Sequence, residues 1–182
     1  MNLRETPVEQ QIQYEGRIIR LRVDKAQLPN GKIATREVVE HNGGVCIAAL
    51  TEQQELLFVR QFRYPYQEVV LELPAGKIDK GEEPLACGKR ELTEETGASA
   101  QQYRSLGRLY PSPGYCGEVI HLFLATGLSF GRMNLDEDEF LEVERIPLEK
   151  AVQMVLDNEV PDAKTQVAVL KTWALLHSGK AL

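Results

Sequence analysis

The chain has 182 residues, 43% hydrophobic and 26% charged, with 27 acidic side chains against 21 basic ones and a formal net charge of −6. That balance suits one globular domain with a substantial core, or one domain with a small appendage. It argues against a nucleic-acid polymer as partner, because such proteins concentrate Lys and Arg to meet phosphates. No apolar run approaches the length that spans a bilayer. Cys46, Cys87 and Cys116 are odd in number and widely spaced, which fits neither a disulfide framework nor a zinc site and reads as reduced thiols. The opening Met1-Asn2-Leu3-Arg4-Glu5 lacks the apolar stretch of a secretory signal, so a cytoplasmic protein without a membrane partner is expected.

Residues 10–14 and 17–28 read as strands around Gly16. Pro29-Asn30-Gly31 is a turn signal, with Asn-Gly suited to a tight hairpin, and residues 32–40 read as the returning strand. This defines an N-terminal antiparallel β meander over residues 1–42, followed by a main domain over 43–182. Residues 44–50 and 55–62 read as strands joined by the polar turn Thr51-Glu52-Gln53-Gln54, and residues 69–73 as a third strand ending at Pro74. Beyond a central helix, strands are expected at 105–110, 119–125 and 140–146, with a Pro-Ser-Pro-Gly-Tyr loop from Pro111 and an acidic loop over 134–139. Pro147 opens a helix over 148–156, and Asp162 is placed to cap a last helix over 163–177. In that helix Val167, Leu170, Trp173 and Ala174 recur at helical spacing, which assigns the sole tryptophan to the core. Strands interleaved with a few helices imply an α/β fold in which helices flank a mixed sheet.

The central helix carries the chemistry. From Gly76 to Ala98 the chain reads GKIDKGEEPLACGKRELTEETGA. Gly76 and Gly81 loosen the entry, Pro84 fits the first helical turn, and Gly97 fits a left-handed cap. Glu91 and Glu95 share a helix face at a spacing where like charges repel; Glu94 is beside them and Glu82 lies just upstream. A face of this kind is usually a solvated surface. Converging carboxylates also suit a hard divalent cation such as Mg²⁺, which takes oxygen ligands.

The same stretch resembles the Nudix box: a glycine, five residues, a glutamate, seven residues, then Arg-Glu-apolar-x-Glu-Glu-x-Gly-apolar. Gly76, Glu82, Arg90, Glu91, Leu92, Glu94, Glu95, Gly97 and Ala98 fill every fixed position. The resemblance runs from Gly16 through Thr165 and is nearest to bacterial ADP-ribose pyrophosphatases. It implies a Nudix-type α/β/α sandwich, and hydrolysis of a nucleoside diphosphate linked to another moiety, with Mg²⁺ or Mn²⁺ as cofactor. It further implies a homodimer in which the N-terminal meander takes part and contributes to the adenosine pocket.

Carried over residue by residue, the resemblance makes Glu91, Glu95 and Glu94, with the Ala75 carbonyl, the metal ligands, and makes Arg90 the partner that orients them. A base must activate water, and the acidic loop Asp136-Glu137-Asp138-Glu139 offers one, Glu139 fitting the family spacing best and Glu137 remaining the alternative. Read alone, such a loop is more often solvated. In Arg60-Gln61-Phe62-Arg63, Arg63 matches the arginine that meets the diphosphate, and Glu72 matches an acid near the metals. Arg36 and Glu37 sit where relatives contact adenine. Pro113, in a Ser-Pro-Gly setting, together with Glu118, marks the ADP-ribose branch. The expectation is a hydrolase that cuts ADP-ribose into AMP and ribose 5-phosphate. Its alternatives are a hydrolase of another nucleoside diphosphate sugar, or a non-catalytic ligand-sensing module of the same family. His41, His121 and His177 are given no catalytic role.

Overall fold

The computed structural model describes residues 2–135 and 139–178. It divides into two units, the chain through Gly43 together with Tyr110–Val119, and Gly44–Leu109 together with the chain from Ile120.

The first unit is an antiparallel sheet of β1 (Thr6–Glu15), β2 (Arg20–Gln27) and β3 (Ile33–Glu40), in that order. The hairpin between β2 and β3 closes with Gly31 N–H on Leu28 O at 2.9 Å and Leu28 N–H on Lys32 O at 2.8 Å. Gly31 has φ +83° while Asn30 does not take positive φ. The expected hairpin is present, and its loop is the three-residue form, a turn over Pro29-Asn30 followed by a left-handed glycine. Residues 110–119 join this unit because Val39 N–H bonds Tyr115 O and Gly117 N–H bonds Val39 O, both at 2.8 Å. Pro113 and Glu118 thus belong with the meander.

The second unit holds a four-stranded sheet, in the order β7 (Ala75–Lys77), β4 (Gly44–Ala49), β9 (Ile120–Phe130), β8 (Ala98–Leu109). It also holds a three-stranded sheet, in the order β10 (Leu141–Pro147), β5 (Glu55–Arg63), β6 (Glu68–Glu72). Every residue of β4 is buried. Strand residues alternate faces, so Val45, Ile47 and Ala49 pack with Cys87 and Leu92 of α1 (Pro84–Thr96). Cys46 and Ala48 pack instead with Ala151 and Val155 of α2 (Leu148–Leu156) and with Ala168 and Val169 of α3 (Ala163–His177). Burial on both faces is why β4 reads as a continuous apolar run.

The expected α/β/α arrangement with a mixed sheet is present, and β4 runs parallel to β9 but antiparallel to β7. The Thr51–Gln54 turn joins β4 to β5 as expected and hands the chain to the other sheet, while β7 and β9 take the edges of β4. Two local expectations give way. β8 begins directly after the Gly97 cap, well before residue 105, because its exposed polar positions pair with β9. Trp173 is 38% exposed and stacks on His177 with ring centroids 4.5 Å apart. The fully buried stripe of α3 is Thr165, Ala168, Val169 and Thr172, small residues that allow close approach to the sheet, with Val167 and Leu170 packing partly buried beside it. Trp173 sits one step round the helix from that stripe.

Both helix caps are as expected. Gly97 has φ +67° with its N–H on Thr93 O, and Asp162 accepts from Thr165 N–H at 2.9 Å. Among the described residues no helix is long and apolar enough to cross a membrane.

Candidate active site

The helix face of α1 that bears Glu91 and Glu95 is not solvated. Glu91 is 7% exposed and Glu95 2%. β7 explains how the chain tolerates this. Gly76 pairs with Val45 on β4, and a Cβ at Gly76 would fall inside the Glu91 carboxylate. Gly76 is therefore needed for close approach within a strand, rather than to loosen a turn as expected; Gly81, at φ +84°, is the glycine that turns the chain. The neighbouring Ala75 N–H donates to Glu95 Oε2 at 3.0 Å. One short strand thus seats both buried acids.

Arg90 gathers the remaining charges. Its Nε and Nη2 donate to Glu82 at 3.0 and 3.1 Å, and its Nη1 donates to Glu91 Oε1 at 2.9 Å and Glu94 Oε2 at 2.8 Å. Glu82 also accepts Asp79 N–H at 3.1 Å. The Arg90 guanidinium, helped by that N–H, holds the Glu82 carboxyl down at about 2. Among the described residues, no three His, Cys, Asp or Glu side chains form a cation cage by themselves. The acids expected to converge are spread around the guanidinium, because a planar fork can serve several carboxylates at once.

Glu95 is different. Burial pushes its carboxyl up to about 8; the Ala75 N–H opposes the shift, and the negative charges of Glu91 and Glu139 add to it. Glu91 is raised as well, by burial first, with Arg90 opposing and Glu94 and Glu139 reinforcing. Glu139 therefore lies close enough to act on both box acids. Glu137 falls outside the described residues. Buried carboxylates whose ionised form lacks full compensation are an oxygen donor set that fits a hard divalent cation, which would restore their charge.

Arg63, at the end of β5, forks onto Glu72, at the end of β6, with Nε at 2.6 Å and Nη2 at 2.7 Å from its oxygens. The charge of Arg63 also acts on Glu95. Burial works against ionisation of Glu72, but Arg63 and Lys164 outweigh it and hold the carboxyl below its ordinary value. Lys164, in the first turn of α3, pairs with Glu72 and, at 2.9 Å, with Asp162. Sequence reasoning missed Lys164. The only signal was a cation at a helix N-terminus, where the dipole disfavours it.

In the first unit, Arg36 and Glu37 are strand neighbours and project to opposite sheet faces. Arg36 forks onto Glu5 at 2.9 and 2.7 Å, and Glu37 is exposed. Glu118 lies 3.4 Å from His41 Nδ1. Pro113 sits in a turn closed by Cys116 N–H on Ser112 O at 2.9 Å.

Fold and site together give an α/β sandwich whose clustered acids ride on one strand–loop–helix unit. Residues 40–169 match the NUDIX domain, and residues 5–39 match the nucleoside diphosphate sugar hydrolase N-terminal domain. The chain belongs to the Nudix family of divalent-metal-dependent hydrolases. It is 42% identical over 170 residues to an ADP-ribose pyrophosphatase of Bacillus subtilis, covering 92% of each chain. It is 40% identical over 158 residues to a methanol dehydrogenase activator of Bacillus methanolicus, covering 86% of this chain and 85% of that one. It is 36% identical over 165 residues to an ADP-ribose pyrophosphatase of Mycobacterium tuberculosis, covering 89% and 80%. The crystal structure of an ADP compounds hydrolase shares the fold, with a TM-score of 0.85 and 22% identity over 100% of both chains.

Proposed function

We propose that this chain hydrolyses the diphosphate linkage of ADP-ribose, releasing AMP and ribose 5-phosphate. The observation that carries the reading is the buried pair Glu91 and Glu95, seated by β7, with the Arg63–Glu72 fork acting on the same ground. Two relatives named as ADP-ribose pyrophosphatases over most of their length support the choice of substrate.

In this reading Glu91, Glu95 and Glu94, with the Ala75 carbonyl, hold Mg²⁺, and Mn²⁺ can serve in its place. When bound, the cation polarises the diphosphate and offsets the charge that develops on it. Arg90 fixes the rotamers of Glu91 and Glu94 by the bonds described above. Arg63 presents the guanidinium donors that Glu72 does not engage to phosphate oxygens. Glu139, with Glu137 as the alternative, takes the proton of the attacking water, so that oxygen bonds to phosphorus as the bridging P–O bond breaks. The N-terminal unit is assigned dimerisation and, through Arg36, Glu37 and Glu118, recognition of the substrate; Pro113 shapes the loop that carries Glu118. Three free cysteines agree with a reducing, cytoplasmic setting. Neither a nucleic-acid polymer nor a membrane is a partner.

A second reading, another nucleoside diphosphate sugar as substrate, is favoured by the match of residues 5–39. A sensing module without activity is disfavoured, because every acid of the box is present. The test is turnover of ADP-ribose and GDP-mannose with Mg²⁺ and with EDTA, with products identified by mass. AMP and ribose 5-phosphate should form with Mg²⁺ only, and ADP-ribose should be preferred by roughly tenfold or more in kcat/KM. Preference for GDP-mannose would select the second reading; no turnover of any nucleoside diphosphate sugar would select the third.

A further inference from the structure

Lys164 occupies a place that secondary structure alone would not give it. It lies in the first turn of α3, where a positive charge opposes the helix dipole, and its side chain is only 13% exposed. Both features disfavour an ammonium group. Two carboxylates offset them, Glu72 and the cap residue Asp162. The same turn is anchored to the sheet, since Leu73 N–H donates to Thr165 Oγ1 at 2.9 Å. Leu73 follows Glu72 directly. The helix end and the strand end are therefore registered to one another, with Lys164 in contact with the acid that grips Arg63.

The charges show what Lys164 supplies. Arg63, Glu72, Lys164 and Asp162 sum to zero. With Lys164 neutral, two largely buried carboxylates would share one guanidinium, leaving a net negative cluster. Glu72 engages only Nε and Nη2 of Arg63, so the Nη1 donors and the second Nη2 hydrogen lie outside that pair. We propose that Lys164 is a positioning residue: it holds Glu72 in place as the fixed base of the Arg63 fork, so that the outer donors of Arg63 serve an anionic diphosphate. The proposal rests on the reading that Arg63 meets the substrate.

The experiment is steady-state hydrolysis of ADP-ribose by the intact Mg²⁺-loaded protein, comparing Lys164→Met, Lys164→Gln, Arg63→Ala and the Arg63→Ala/Lys164→Met double variant, with melting temperatures alongside. Lys164→Met should raise KM about tenfold while changing kcat less than about threefold, which marks loss of substrate binding rather than of chemistry. Lys164→Gln keeps a donor for Glu72 without the charge and should lie between Met and wild type. Arg63→Ala should raise KM by itself, and adding Lys164→Met to it should raise KM little further, because both act through one contact. A purely structural lysine would lower the melting temperature without raising KM, or raise it by the same factor with and without Arg63, and either result overturns the proposal. If neither Lys164 variant folds, the residue is structural and the proposal fails. If Arg63→Ala leaves KM unchanged, it is the substrate reading of Arg63 that fails, and the proposal with it.

Discussion

The Glu91 carboxylate lies over the Cα of Gly76 at a separation that leaves no room for a Cβ. A glycine on β7 and an acid on α1 are thus one device, a strand thinned so that a charged side chain can be buried against it. Gly76→Ala should displace Glu91 and, through the same strand, the Ala75 N–H that holds Glu95. Overpacking of this kind costs about 1–3 kcal/mol, so the protein should still fold. Turnover should fall by roughly 100-fold, the scale of a misplaced catalytic constellation. Circular dichroism with an activity assay checks both halves; a folded variant of normal activity would show that the approach is not needed.

Glu95→Gln should separate activity from stability. The amide keeps the shape and loses the charge a hard cation needs, so nearly all turnover should vanish at ordinary Mg²⁺ concentrations. Stability should move the other way. Burial raises the folded-state pKa of Glu95 from 4.5 to about 8. A carboxyl so raised binds its proton more tightly folded than unfolded. Its contribution is fully present below pH 4.5 and is lost as pH rises through about 8. In EDTA, wild type should lose on the order of a few kcal/mol between pH 5 and pH 8 from this group, and Glu95→Gln should escape that part of the loss. Thermal melts at the two pH values decide it: equal pH slopes for the two proteins would mean Glu95 is ionised in the folded chain.

How much of this was visible in the sequence depends on the range of the interaction. Pro84, Gly97 and Asp162 act within one turn of a helix, and each cap is where spacing put it. The box acids were likewise legible, because their pattern is local. What could not be read were relations between distant segments. Gly76 looked like a turn glycine because nothing nearby in sequence reveals the Glu91 carboxylate above it. Lys164 meets Glu72 across most of the second unit's sequence. Trp173 matched a helical period, but that period fixes a stripe and not which neighbouring stripe faces the sheet. Glu72, Arg63 and Glu139 were found only through resemblance, and the resemblance could not say that Arg63 and Glu72 grip one another.

The N-terminal unit should make the enzyme a homodimer. Every residue of β1 is exposed, including Val8, Ile12 and Tyr14, on a strand that among the described residues pairs with β2 alone. An edge strand with apolar side chains is a surface that natural sheets usually cover. Sedimentation at micromolar concentration should give the mass of two 20.5 kDa chains. A fully active monomer would leave the meander without this role.

The identity of the base is the sharpest remaining test. Glu139→Gln should lower kcat by roughly 10²–10⁴, the usual range for one general base. Metal affinity should change far less than in Glu95→Gln, because Glu139 belongs to the loop before β10 and not to the box helix. The structure adds a further expectation. Glu139 acts on Glu91 and Glu95 as a neighbouring negative charge that raises both carboxyls. Removing that charge eases their ionisation but also takes away a negative charge that attracts Mg²⁺, so the two effects oppose and Mg²⁺ affinity should fall only modestly in Glu139→Gln. Loss of activity with largely retained metal binding is the signature of a missing base rather than a damaged ligand set. Raising the pH should partly rescue the variant, since hydroxide then replaces the lost proton acceptor. Glu137→Gln is the necessary control, being in the same acidic loop. If Glu137→Gln is crippled and Glu139→Gln is nearly normal, the loop is right and the residue is Glu137. If neither variant slows the reaction, the proton goes elsewhere, and Glu94, which is half-buried and already within reach of Arg90 at 2.8 Å, becomes the residue to test.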